Sequence, residues 1–326
     1  ILSIFTGNYP PRNYYQTCLL TDTALGEGLI PGVIADFRRN DVNTALYMPY
    51  KPDVPLDLLW HQNSGIDEHF YASFHENISE RTNDGAALDK MKADIEQWID
   101  NDEQYATFFF PQIGHGPWND RPESTTIVEN GQSLTITQDA WLGEVVEILK
   151  RKNKLDTTTI IVTGDHGVRT VGEDPDFSPG TISDYTFHVP LFIYSKQFQG
   201  KNIIDAFTSH VDLAPTISEL YGISYPDLRY QGIPIWEAGN VERELYFPAG
   251  WYYNADGFYG NQNFYMWSRA LGLFYESEDL DFNNDEVISD QDKKQMVINK
   301  LSAFNKLQMD RLTSICESNF SQIGAR

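Results

Sequence analysis

The sequence predicts an α/β fold, with a mostly parallel central sheet flanked by helices and a small antiparallel α+β subdomain at the C-terminal end. Three observations predict it. Apolar, β-rich runs alternate with amphipathic stretches in the order strand, helix, strand, the rhythm of a parallel sheet with crossover helices. Residues 158–162 are β-branched throughout, the composition of a strand covered on both faces. From about Arg243 the texture changes to short aromatic strands broken by Asn and Gly. The expected division is therefore a larger α/β unit over residues 1–242 and a subdomain over residues 243–326.

The elements follow in order. Ile1 to Phe5 is apolar and β-rich, the composition of a core element. Residues 32–40 read as a helix whose basic end suits a helix C-terminus, and 44–48 as a short strand. Residues 50–57 are a proline-rich loop. Residues 86–99 form an amphipathic helix with Leu88, Met91, Ile95 and Trp98 on one face. A buried strand is expected at 105–111. A second helix follows at 137–152, with Trp141, Val145, Ile148 and Leu149 inward. The next strand runs to Val162 and is expected to be central and parallel. It stops at Gly164-Asp165-His166-Gly167, where the glycines permit a turn that exposes the carboxylate and the imidazole. Ligand sites of open α/β sheets lie at such carboxyl ends. An Asp oxygen beside a His nitrogen suits a divalent cation such as zinc or manganese, although both are also ordinary turn residues. A loop (168–186), a strand (188–194), a helix starting near Asp212 and Pro215, short strands over 246–273 and a closing helix (290–313) complete the chain.

Composition narrows the function. The 326 residues carry a net charge of −23, which repels nucleic acid and anionic membranes, so no nucleic-acid partner is expected. No segment approaches the ~18 consecutive apolar residues of a membrane helix. Cys18 and Cys316 are not spaced as a metal pair, and two residues define no disulfide framework. Residues 281–292 approximate the ligand spacing of an EF-hand loop, but Glu286 stands where the sharp-turn glycine belongs.

Several segments in order resemble the sulfatase family of the alkaline phosphatase superfamily. Leu2-Ser-Ile-Phe-Thr-Gly-Asn-Tyr-Pro-Pro-Arg12 resembles its "LLTGRYPxR". Gly65-Ile-Asp-Glu-His-Phe70 resembles "GFDxFF", and the strand ending at His115-Gly-Pro117 its "HxP". Asp165-His166-Gly167 resembles "SDHG", His188-Val-Pro-Leu191 its "VPL", and Val211-Asp-Leu-Ala-Pro-Thr216 its "VDLxPT". The resemblance implies an alkaline-phosphatase-like fold and a metal-dependent hydrolase of sulfate esters, secreted, lumenal or periplasmic. The substrate would be an anionic small-molecule or glycan ester. It implies Asp165 and His166 as ligands of one divalent metal ion, calcium by family, with zinc or manganese as alternatives. It implies His115 as a contact to the ester or its leaving group, and His188 as a substrate contact. His210 is read as structural.

Two features matter. Where many sulfatases grip sulfate with a Lys and a His, only Lys51 is basic here. A His rather than Asn after the metal-binding Asp also leans toward phosphoryl chemistry. The alternatives are therefore a phosphoester or phosphonate hydrolase, a phosphoglycerol-transferase-like enzyme, or a non-catalytic relative used as a binding module. The resemblance also sets the nucleophile, the first strand and two acidic ligands ahead of Ile1, which makes this chain an expected N-terminal truncation. Expressing residues 1–326 beside a version extended upstream tests this expectation. The extended protein should melt higher, hold metal and turn over an aryl ester; equal melting and turnover by the short form would overturn it.

Overall fold

The structure, a computed structural model, describes residues 2–10, 32–51, 65–73, 80–113, 126–167, 170–171, 174–175, 183–198, 200, 202–223, 230–249, 254–280 and 287–323. The EF-hand-like residues 281–286 and the side chains of both cysteines lie outside the description.

The first element is α1 (Leu2–Thr6), a helical turn where a β-rich run was expected. The turn closes through Gly7 N–H donating to Ser3 O, and it buries Phe5 edge-on against Phe108 at 4.8 Å between ring centres. Helix α2 (Val33–Arg39) adds Val33, Ile34 and Phe37 to the same core and ends on Arg38 and Arg39. Strand β1 (Asn43–Tyr50) is buried on both faces from Thr44 to Met48. It lies between β2 (Glu68–Ser73) and β3 (Tyr105–Phe109), parallel to each, with Ala45 opposite both Glu68 and Thr107. Asp67 fastens this layer: its Oδ2 accepts from Thr44 N and Oγ1, and its Oδ1 pairs with Arg38.

Helix α3 (Glu80–Asp100) covers one face of the sheet with Leu88, Met91, Ile95 and Trp98, the predicted stripe. Helix α4 (Ile127–Arg151) packs beside it and starts well before residue 137. Thr126 and Glu129 form a capping box that starts the helix. The weak helix formers Gly131, Ser133, Thr135 and Thr137 hide this first half from periodicity.

Strand β4 (Ile160–Thr163) corrects the expectation of a central, parallel, doubly covered strand. Beyond the two-residue strands β5 (Thr170–Val171) and β6 (Asp174–Pro175) and the short helix α5 (Asp184–Phe187), the chain turns back as β7 (Leu191–Tyr194). β7 pairs with β4 antiparallel, Val162 opposite Phe192, in a unit that is two-stranded among the described residues. Val162, Phe192 and Tyr194 are exposed. The β-branched composition reports fit to a pleated surface; it encodes neither the direction of a partner strand nor the number of neighbours. Ile160 still packs into the core that holds Tyr105 and Phe109, so β4 shares a core with β3.

Helix α6 (Leu213–Leu220) follows a 3₁₀ turn at His210–Asp212. Strands β8 (Leu245–Ala249), β9 (Ala255–Gly260), β10 (Asn263–Ser268) and β11 (Leu273–Ser277) then form an antiparallel sheet in sequential order. Helix α7 (Gln291–Ile323) closes the chain, burying Val297 and Leu301 against β9 and β10. Among the described residues, no helix is long and apolar enough to cross a membrane.

A small aromatic cluster ties the start of the chain to this C-terminal sheet. Tyr9 packs on Phe304 and Tyr246, and the Tyr246 and Phe304 rings stack at 3.8 Å. Tyr9 Oη accepts from Tyr246 N–H at 3.3 Å. Burial, reinforced by the Asp212 carboxylate, pushes the Tyr9 phenol up to about 12. A raised folded pKa means the native state holds the proton more tightly. That stabilisation is complete below about pH 10, the unfolded value, and is lost as pH climbs toward about 12. Thermal melts over this alkaline range should show Tyr9→Phe losing less stability than the parent, by on the order of 2 kcal/mol. Parallel loss in both proteins would overturn the assignment.

Candidate active site

The turn after β4 carries Asp165 and His166, both exposed. His166 N–H donates to Asp165 Oδ1 at 3.0 Å. His166 Nδ1 lies 2.8 Å from Gly167 O. A carbonyl only accepts, so Nδ1 carries the proton and Nε2 is left with its lone pair outward. Among the described residues no hydrogen bond occupies Asp165 Oδ2 or His166 Nε2. This donor set fits a divalent cation, since metal-binding histidines commonly anchor their other ring N–H on a carbonyl. Among the described residues, no group of three or more His, Cys, Asp or Glu converges to hold an ion.

Gly167 is required by close approach. A Cβ there would stand 2.1 Å from Tyr185 O, and its amide donates to Thr186 O at 2.8 Å. The contact presses the turn against α5, whose C-terminal cap is His188. The His188 ring is exposed, with Nδ1 3.2 Å from Asp184 Oδ1. The structure thus brings Asp165, His166 and His188 into one neighbourhood through the backbone. His115 lies outside the described residues. The segment leading to it is fixed, because the buried Asp84 carboxylate accepts from Gln112 N and Ile113 N just beyond β3. Lys51 sits at the carboxyl end of β1, its N–H bonded to Ser73 O.

His210 reaches the same turn from the far side. Its Nε2 donates to Gly164 O at 2.8 Å. Burial lowers its pKa, and the nearby His166 adds to this; the bond to Gly164 O and the Asp165 charge oppose it. The position of His210 is set by Asp212. That carboxylate is fully buried and gripped by Arg243 through two contacts of 2.6 Å. It also accepts from Ser209 N at 2.8 Å and Ile233 N at 3.0 Å. Gly232 backs the turn so closely that a Cβ would meet Val211 O at 1.9 Å. Asp84 and Arg243 escaped sequence reasoning, Asp84 because the helix was expected to begin at residue 86. The signal for the Asp212 site was present in Ser209-His-Val-Asp212, a Ser with an acid three residues on.

A model of the sulfatase family matches residues 60–223, about half of the 326. The chain belongs to the sulfatase family. Among curated relatives of this sulfatase chain, bovine (Bos taurus) arylsulfatase K is 33% identical over 88 residues, which are 27% of this chain and 16% of the bovine protein. The match therefore spans under a fifth of that relative's length. Three of the solved structures that share the fold illustrate it. A protein of the alkaline phosphatase superfamily from Vibrio parahaemolyticus has a TM-score of 0.66 at 14% identity, covering 95% of this chain and 75% of that one. A 2-O GAG sulfatase has 0.62 at 14%, covering 97% and 82%. The phosphonate monoester hydrolase of Silicibacter pomeroyi has 0.63 at 13%, covering 95% and 85%. The sulfatase chain thus has the alkaline-phosphatase-like fold expected of it.

Removing the partner of a buried carboxylate leaves an uncompensated charge, at a cost of roughly 3–5 kcal/mol. Arg243→Ala should lose stability of about that size in chemical denaturation. Arg243→Lys should lose part of it, because an ammonium cannot reproduce the two-pronged grip. A loss under about 1 kcal/mol for Arg243→Ala would show that Asp212 is not held by this pair.

Proposed function

We propose that this chain is part of a metal-dependent hydrolase of sulfate esters, acting on an anionic small-molecule or glycan ester. One observation carries the reading. The Asp165–His166 turn falls within the matched sulfatase stretch and presents a carboxylate beside an imidazole whose Nδ1 proton is tied to Gly167 O. A divalent ion there, calcium first and zinc or manganese otherwise, would neutralise the ester's anionic oxygens and lower the pKa of a nucleophile. Asp165 would offer an oxygen and His166 its Nε2. His188, exposed beside the turn, suits contact with the substrate anion. His115 is assigned the ester or its leaving group. With a net charge of −23 on the chain, an anionic substrate needs such local positive groups to enter. A secreted, lumenal or periplasmic location accompanies this reading.

The phosphoryl alternative has its own support. The fold is shared with a phosphonate monoester hydrolase, a His follows Asp165, and Lys51 is the sole basic residue of its loop. Turnover of an aryl sulfate against an aryl phosphate and an aryl phosphonate by the full-length protein separates the two. A relative used only as a binding module would turn over none of them.

Asp165→Ala removes a ligand from an exposed strand end, so it opens no core cavity. In the full-length protein it should lower metal content and cut turnover by at least about 100-fold, with an unchanged melting profile in the metal-free state. Normal metal content with normal turnover would sink the assignment.

A further inference from the structure

His210 is separated by 46 positions from Gly164, yet its ring meets the carbonyl that precedes Asp165. Besides the His166 N–H bond to Asp165 Oδ1, three contacts fix the backbone of this four-residue turn. His166 Nδ1 donates to Gly167 O, Gly167 N–H donates to Thr186 O, and His210 Nε2 donates to Gly164 O. The last reaches the side of the turn ahead of Asp165, where among the described residues Gly164 O also accepts a longer bond, 3.2 Å, from the neighbouring Thr163 Oγ1. The His210 donor is the most firmly mounted, because the His210–Asp212 turn is closed by Asp212 N–H on Ser209 O and pinned by the buried Arg243 contacts.

We infer that His210 is a positioning residue that orients the Asp165–His166 pair by clamping the Gly164–Asp165 peptide plane, without itself binding metal or substrate. The ring nitrogen facing the turn is spent on the carbonyl. A fixed peptide plane sets the direction from which the Asp165 carboxylate and the His166 ring leave the backbone. Residues that orient ligands in this way typically change metal affinity 10–100-fold when lost. Ser209-His-Val-Asp212 would then serve as a mount, with Asp212 as its root and His210 as its arm. The metal side of this inference rests on the function proposed above; the clamp itself does not.

Two measurements on the full-length protein keep the inferences apart. Calorimetric titration with Ca²⁺, repeated with Mn²⁺, compares wild type, His210→Phe and His210→Gln. Phe keeps the ring volume and removes the donor, while Gln restores an N–H. Phe should weaken the bound ion roughly 10-fold or more, and Gln should recover most of the loss. Amide hydrogen exchange in the metal-free protein reads the clamp directly. His210→Phe should speed exchange at His166 and Gly167 about 5-fold, the ratio a single hydrogen bond confers, and leave the β1 amides unchanged. Wild-type exchange at the turn would overturn the clamp. Faster exchange throughout the fold would assign His210 to general stability and also overturn it. Wild-type affinity with faster local exchange would overturn its influence on the metal pair. A wild type that binds neither ion would instead overturn the metal reading of Asp165 and His166, and with it the metal half of this inference.

Discussion

A carboxylate stripped of water costs several kcal/mol unless its charge and lone pairs are met, and Asp212 is stripped completely. Four donors from three parts of the chain meet it. Arg243 comes from the lead-in to β8, Ile233 from the loop after Tyr230, and Ser209 from its own turn. The Asp212 backbone contributes as well, since its carbonyl accepts from Thr216 Oγ1 at 2.6 Å and so starts α6. One charge thereby fixes the direction of α6, the position of the C-terminal sheet's first strand and the location of His210. The Asp212 site cannot rearrange in part, because any single donor withdrawn leaves the charge underpaired in a low-dielectric setting.

The same logic recurs at the sheet. Asp84 spends its oxygens on backbone amides, and Asp67 gives one oxygen to the amide and hydroxyl of Thr44 and the other to Arg38. Strand interiors satisfy their own amides through the ladder, while strand ends do not. Asp84 therefore fixes where the chain leaves the carboxyl end of β3, the edge at which an α/β fold mounts its chemistry, while Asp67 fixes the opposite, amino end of β1. By contrast the cross-helix pairs between α3 and α4, such as Lys92 with Glu144, are exposed and contribute little each. The acidic surplus is thus divided between a few buried carboxylates with structural tasks and many solvated ones.

What could be read from the sequence follows the length scale of the signal. The stripe Leu88, Met91, Ile95 and Trp98 is periodic over three turns, and all four are buried as predicted. The Asp165-His166 turn was legible because glycines flank it. The pairing of β4 was not, since four β-branched residues are compatible with either partner direction. The first half of α4 was hidden by weak helix formers, and its start is decided by the Thr126 capping box. The expectation for α1 failed for a related reason. Leu, Ile and Phe suit a strand by composition, but five residues beside α2 and α6 bury Phe5 equally well as one helical turn. His210 was read as structural, and its acceptor, Gly164 O at 46 positions' distance, left no local trace.

The arrangement explains how an exposed pair can still be preorganised. Asp165 and His166 lie in solvent, where side chains of ordinary loops sample several rotamers. Here the imidazole is fixed in rotation by Gly167 O, and the loop by Tyr185 and Thr186 pressed against a residue without a Cβ. Rigidity is imported from buried elements through backbone groups. Asp165 Oδ2 and His166 Nε2 stay unburdened by hydrogen bonds among the described residues. That division would suit the proposed site, which would exchange a hydrated ion or an anionic ester with bulk water. Burying the pair would raise the desolvation cost of its charge, and leaving it on a free loop would raise the entropy cost of binding. Mounting an exposed pair on a turn held from buried elements avoids both, and under the proposed function it would make the residues behind the turn as consequential as those that face the substrate.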